Sequence, residues 1–227
     1  WWDGRVDLWD VPARRWVRAL TDSERPHPGR VAFSPVRNLL AATSEPNAVT
    51  LYDLDSGRES ILWRGTDQGG WDFRDLAFSQ DGSKVVFYTG SNPEAGDAVW
   101  VVDVASSRIE SRHPAGRSLK EYAHIGAARL SPDNRRLYWV RSDDWNGRIQ
   151  CIDLGTSQEL WHTESQGEPL MSLDISPDGR VLASASGWND TTIHIWDTAT
   201  GDHLKQLAGH TAFVLDLAFT RDGRHLI

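Results

Sequence analysis

Leu173-Asp-Ile-Ser-Pro-Asp-Gly179, then Val181-Leu-Ala-Ser-Ala185, then Asp190-Thr-Thr-Ile-His-Ile-Trp-Asp197 is the passage from which the rest of the chain can be read. An apolar run ends in a serine, a Pro-Asp-Gly turn follows, and two further β-rich runs come after it. Proline presets φ at the first central position of a type I turn, and Asp and Gly tolerate the remaining geometry, so the passage opens on a hairpin. The phrase recurs at Val31-Ala-Phe-Ser-Pro35, Leu76-Ala-Phe-Ser-Gln-Asp-Gly82, Ala128-Arg-Leu-Ser-Pro-Asp-Asn134 and Leu217-Ala-Phe-Thr-Arg-Asp-Gly223. Its hydroxyl residues Ser34, Ser79, Ser131, Ser176 and Thr220 stand 45, 52, 45 and 44 positions apart. Apolar strands ending in Asp10, Asp53, Asp103, Asp153 and Asp197 run in step, at spacings of 43, 50, 50 and 44. One period governs both phrases, so the 227 residues hold about five copies of one supersecondary unit.

Each turn is followed by a run with the β-branched and aromatic bias of strands, such as Val85-Val-Phe-Tyr88 or Arg136-Leu-Tyr-Trp-Val140. The aspartate phrase makes a third strand, and Ile61-Leu-Trp63, Glu159-Leu-Trp161 and His203-Leu-Lys-Gln-Leu207 make a fourth. No stretch sustains helical periodicity. Third strands such as Ala98-Val-Trp-Val-Val-Asp103 are apolar on both faces, so each sheet must be covered on both sides. Sheets stacked radially meet that requirement, which predicts an all-β propeller of four-stranded antiparallel blades.

With these motifs in place, the chain resembles the WD-repeat (WD40) propeller family. The resemblance rests on Ser176-Pro-Asp-Gly179, Leu182-Ala-Ser-Ala-Ser186, Asp190 to Asp197 and Gly209-His210, spaced as that family spaces them. Most copies are degenerate: the signature tryptophan position reads Trp9, Tyr52, Val102, Ile152 and Trp196. Seven residues before each signature aspartate stand Asp3, Pro46, Gly96, Asn146 and Asp190. The resemblance implies a buried hydrogen-bonded set of Ser184 or Ser186 with Asp190 and Trp196, echoed by Asp3, Trp9 and His210 at the chain's two ends. The histidine that would complete the set is replaced by Gln166, which predicts that Gln166 or water supplies the donors of Asp190. In this phase the chain divides into a half-blade over 1–28, blades over 29–69, 70–118, 119–166 and 167–209, and a half-blade over 210–227. The reading is an arc of a larger ring, seven-bladed as the family usually is, and a fragment of a longer chain with further domains. The alternative is a closed five-bladed ring with a composite blade, His210 offered to Asp3.

Composition narrows the function. The formal charge of −8 disfavours an electrostatic nucleic-acid or anionic-membrane surface. The single Cys151 excludes an internal disulfide framework and any cysteine-built metal site. No apolar run approaches the roughly 18 residues that cross a bilayer as a helix. The chain opens Trp1-Trp2 with no targeting pattern, which leads to a cytoplasmic expectation. Arginine outnumbers lysine 21 to 3, which points to a GC-rich, bacterial genome. Nucleophile-elbow, zinc, phosphate-loop and dinucleotide motifs are absent, so no cofactor, metal or catalytic residue is expected. His113 and His124 read as solvated loop residues, His194 as a third-strand residue, and Asp143-Asp144 as solvated turn acids.

What remains is surface. Connections from strand two to three, and from each blade to the next, emerge on one face of a propeller. They carry Trp71, Trp145 and Trp188 among Asp67, Asp72, Glu94, Asp97, Asp143 and Asp144. Tryptophan in turns buries little unless something covers it, and it is enriched among binding hot spots. The expectation is an acidic face with aromatic anchors for a protein partner, preferably a basic segment. The competing reading folds these rings over neighbouring loops. The function expected is a non-catalytic interaction scaffold. Its alternatives are a propeller enzyme, lactonase-like or peptidase-associated, working through Asp75, Asp174 and Asp216, or the sensor or docking arm of a signalling protein such as a bacterial kinase.

Overall fold

The computed structural model describes residues 6–20, 29–44, 47–65, 72–90, 96–116, 126–143, 146–164, 170–186 and 190–227. Its regular structure is entirely β. β1 (Asp7–Asp10) and β2 (Arg15–Ala19) form a hairpin, and four antiparallel four-stranded sheets follow in chain order. The first is β3 (Val31–Phe33), β4 (Leu39–Ser44), β5 (Ala48–Asp53) and β6 (Glu59–Arg64). The second is β7 (Asp72–Phe78), β8 (Lys84–Gly90), β9 (Asp97–Asp103) and β10 (Ile109–Gly116). The third is β11 (Ala128–Leu130), β12 (Arg136–Asp143), β13 (Asn146–Asp153) and β14 (Glu159–His162). The fourth is β15 (Leu170–Ile175), β16 (Val181–Ser186), β17 (Ile193–Asp197) and β18 (His203–Leu207). These sheets are the blades of a β-propeller, as the sequence pattern requires.

The second strand of each blade shows why. Side chains alternate across a strand, and here both faces are apolar. On β8, Val85 and Phe87 pack with Ala41, Val49 and Trp63 of the first blade, while Val86 and Tyr88 pack with Leu130, Leu137 and Trp139 of the third. On β12, Leu137 and Trp139 face back, and Tyr138 and Val140 face forward onto Leu173, Leu182 and Trp196. The second and third blades are therefore each core to both neighbours, and each fully buried aliphatic side chain contributes about 1.5–3 kcal/mol.

Two turn types repeat with the blades. In the first, a strand-one hydroxyl donates to the turn aspartate and accepts from the second strand. Ser176 Oγ lies 2.6 Å from Asp178 Oδ1 and 3.1 Å from Val181 N; Ser79, Ser131 and Thr220 repeat it. Gly82, Asn134, Gly179 and Gly223 close these turns at φ between 57° and 72°. In the second, the strand-three aspartate caps the outer hairpin. The Oδ1 atoms of Asp53, Asp103, Asp153 and Asp197 accept from the backbone N–H three residues on, and Asp10 does the same for Ala13. These backbone hydrogen bonds, and at Asp103 first the Ser106 hydroxyl, outweigh burial and hold the four blade aspartates below the ordinary carboxylate range. The signature aspartate is thus a hairpin cap.

The two ends differ from the interior. Val6, Leu8 and Leu20 cover part of the first blade beside Leu40, Ala42 and Tyr52. Val31 and Phe33, which share that side through their pairing with Ala42 and Leu40, stay 46% and 62% exposed. Residues 213–227 form no regular strand; their backbone bridges join Phe219 to Leu226 and Ala218 to Ile227, and Phe213, Leu215 and Ile227 are exposed. β1 and β2 likewise form a sheet of two strands, so no composite blade of the five-bladed alternative forms among the described residues. His113 corrects a second expectation: it is a buried residue of β10, not a solvated loop residue. The alternation that buries it was obscured by Pro114 beside it.

Candidate functional site

The innermost strands carry a charged relay. Arg129 on β11 reaches back to Asp75 on β7, Nη1 to Oδ2 at 2.6 Å, and forward to Asp174 on β15, Nε to Oδ1 at 3.2 Å. Asp75 Oδ2 also accepts from Ala128 N, and Asp174 Oδ2 from Phe219 N, each at 2.8 Å. Asp216 accepts from Ser172 Oγ at 2.8 Å and from Leu217 N at 2.9 Å. Burial opposes the charge on Arg129, but Asp75 and Asp174 outweigh it and raise its pKa further above an already high value. All three acids named for the enzymatic alternative are therefore engaged in joining one innermost strand to another. Arg129 was not singled out from the sequence; its place two residues before Ser131, opposite acids two and four residues before Ser176 and Ser79, was the available signal.

Between the two central strands of the fourth blade, Trp196 Nε1 donates to Ser184 Oγ at 2.8 Å. Asp190 takes Thr192 N at 2.9 Å, the Thr192 hydroxyl at 2.5 Å and His194 Nε2 at 2.9 Å. Burial pushes its carboxyl up, but the bonds from Thr192 and His194 prevail and hold it below the usual range. These donors come from its own blade, whereas Gln166 lies outside the described residues. His194 continues to His203, Nδ1 to Nε2 at 3.0 Å, and Ser186 Oγ is buried without a protein partner.

The second blade builds an equivalent from residues the motif does not contain. Trp100 Nε1 donates to Thr89 Oγ1 at 2.8 Å. Trp100 stands two residues before the signature position held by Val102, and Thr89 is two residues later along β8 than the counterpart of Ser184. Arg74 Nη1 lies 3.1 Å from Asp97 Oδ2, with both side chains at least nine-tenths buried, and its guanidinium stands 5.7 Å over the Tyr88 ring. Gly90 makes room for that guanidinium: a Cβ there would lie 2.4 Å from it. Asp97, expected on an open acidic face, is 8% exposed and committed to Arg74.

Trp9 is 59% exposed, and His210 is exposed with no hydrogen bond to the chain's beginning among the described residues. Asp3, Trp71, Trp145, Trp188 and Asp144 lie outside the described residues, and Asp72 opens β7. No group of three or more His, Cys, Asp or Glu able to hold a metal occurs among the described residues. Cys151 is buried, and burial pushes its thiol up to about 12.

The WD domain, G-beta repeat family model matches residues 158–197 and 201–227. The chain is 39% identical over 165 residues to the U3 snoRNP-associated protein-like EMB2271 of Arabidopsis thaliana, covering 67% of this chain and 33% of that protein. It is 29% identical over 172 residues to the WD repeat-containing protein SL1-17 of Schistosoma mansoni, covering 75% and 50%. Over 228 residues it is 25% identical to the WD repeat-containing protein slp1 of Schizosaccharomyces pombe, covering 99% and 43%. The chain spans between a third and a half of the length of these relatives.

Proposed function

The chain belongs to the WD40 repeat family, and on that footing we propose that it is a non-catalytic scaffold that receives a basic protein segment on the loop face of its propeller. Proteins of this family are generally interaction scaffolds. The observation that carries the reading is the commitment of Asp75, Asp174 and Asp216 to contacts between the innermost strands, which makes the acids of the channel wall part of a rigid frame. A rigid frame with many loops suits recognition rather than chemistry. The charge of −8 favours a basic partner. One relative's name associates it with an snoRNP; for this chain the same charge favours a protein of such an assembly over its RNA.

The aromatic anchors are Trp71, Trp145 and Trp188, flanked by Asp72 and Asp144. Replacing the three tryptophans with alanine in the full-length protein should weaken capture of a fluorescent Arg/Lys-rich peptide at least tenfold by anisotropy, with the circular dichroism unchanged. Unaltered capture ends the reading of this face.

A further inference from the structure

The seam between the second and third blades differs from its neighbours in how its polar atoms are satisfied. Six buried side-chain polar atoms among the described residues have no hydrogen-bond partner, and Ser111 Oγ, His113 Nε2, Trp139 Nε1 and Gln150 Oε1 are four of them. Register places all four on one seam. Ser111 and His113 pair with Val101 and Val99, which pack against the third blade. Gln150 pairs with Trp139, which packs against the second. The second and third blades are bonded at their inner strands and turn, Arg129 to Asp75 and Asn134 Nδ2 to Asp81 Oδ2 at 2.8 Å. The third and fourth are also stitched farther out at Thr198, whose carbonyl accepts from Trp161 Nε1 at 3.1 Å and Arg136 Nη1 at 3.2 Å.

We propose that His113 is an acid-operated release between the second and third blades: neutral, it fills the seam, and protonated, it drives the two sheets apart. The charged and titratable groups on the described facing surfaces are already occupied, Asp75 by Arg129 and Asp81 by Asn134 at the inner strands and turn. Asp97 is taken by Arg74 beside Tyr88, and Glu159 on β14 is bonded to His162 and Gln150, with Arg148 nearby. Among the described residues no carboxylate bonds to His113, and burial lowers its pKa below the ordinary histidine value. The sign follows. The opened seam binds a proton more readily than the closed one, so stability is complete above about pH 6.5 and falls as pH drops below it. One proton taken up on opening raises the opening constant by up to about tenfold per pH unit until the closed seam itself titrates. The release stands apart from the scaffold reading; its consequence for a partner held across these two blades rests on that reading.

Hydrogen exchange at pH 7.5 and 5.5 on the full chain, corrected for intrinsic rates, tests it. Amides of β10, β12 and β13 should lose protection about tenfold relative to those of β16 and β17, and His113→Gln should remove the pH dependence even if it lowers protection throughout. Equal losses at both seams, or a selective loss that survives H113Q, overturns the proposal.

Discussion

The fourth blade carries the family's phrases nearly intact, and the second carries few of them, yet both make the same two kinds of contact. Each holds an indole N–H against a strand-two hydroxyl at 2.8 Å, Trp196 to Ser184 in one and Trp100 to Thr89 in the other. Each ties the start of its third strand through a carboxylate, Asp190 to His194 and Asp97 to Arg74. The tryptophan and the hydroxyl have each moved by two residues, in opposite directions along antiparallel strands, so they still meet. A shift of two keeps a side chain on its own face of the sheet, whereas a shift of one would turn it over. The blade therefore preserves parity and partnership rather than particular positions.

The two carboxylates should separate most. Asp97 and Arg74 are both nine-tenths buried or more, while the Asp190 side chain is a quarter exposed and keeps Thr192. Removing the cation from a buried pair strands a charge, so Arg74→Met should cost about 3 kcal/mol in urea unfolding, against about 1 kcal/mol for Asp190→Asn. Equal losses would mean that the second blade's pair is wetter than its burial indicates. The hydroxyls should differ less. Ser184→Ala leaves the Trp196 N–H buried and unpaired, at about 2 kcal/mol, and Thr89→Val about 1 kcal/mol, because Trp100 is only partly buried.

This also explains which features could be read in advance. Blade count, strand order and the turn between the first and second strands were legible because period-two alternation and turn chemistry are local. Asp10, Asp53, Asp103, Asp153 and Asp197 marked the ends of third strands from spacing alone, although their capping role needed the hydrogen bonds at Ser56, Ser106, Thr156 and Thr200. Arg74 and Arg129 were not legible. Each is one arginine among 21 in the sequence, and its meaning depends on a carboxylate 23 or 54 positions away. His113 was misread because Pro114 beside it obscured the alternation of β10. Long-range polar pairs leave no periodic trace.

The outer hairpins sharpen the contrast at its smallest scale, with opposite signs. The same capped turn closes at Ser107 in the second blade, φ 55°, and at Gly201 in the fourth, φ 79°. A side chain in the left-handed region is strained, so Ser107→Gly should stabilise by about 0.5–1 kcal/mol, the relieved strain being partly offset by the entropy of a freer unfolded backbone. Gly201→Ala should destabilise by about 2 kcal/mol, because the new Cβ adds that strain and would also lie 2.6 Å from the Trp161 ring, held in place by Thr198. Thermal melts of the two single variants read both signs. Since Trp161 belongs to the third blade, the loss in Gly201→Ala should appear as a weakened seam between the third and fourth blades, whereas the gain in Ser107→Gly stays within its own hairpin.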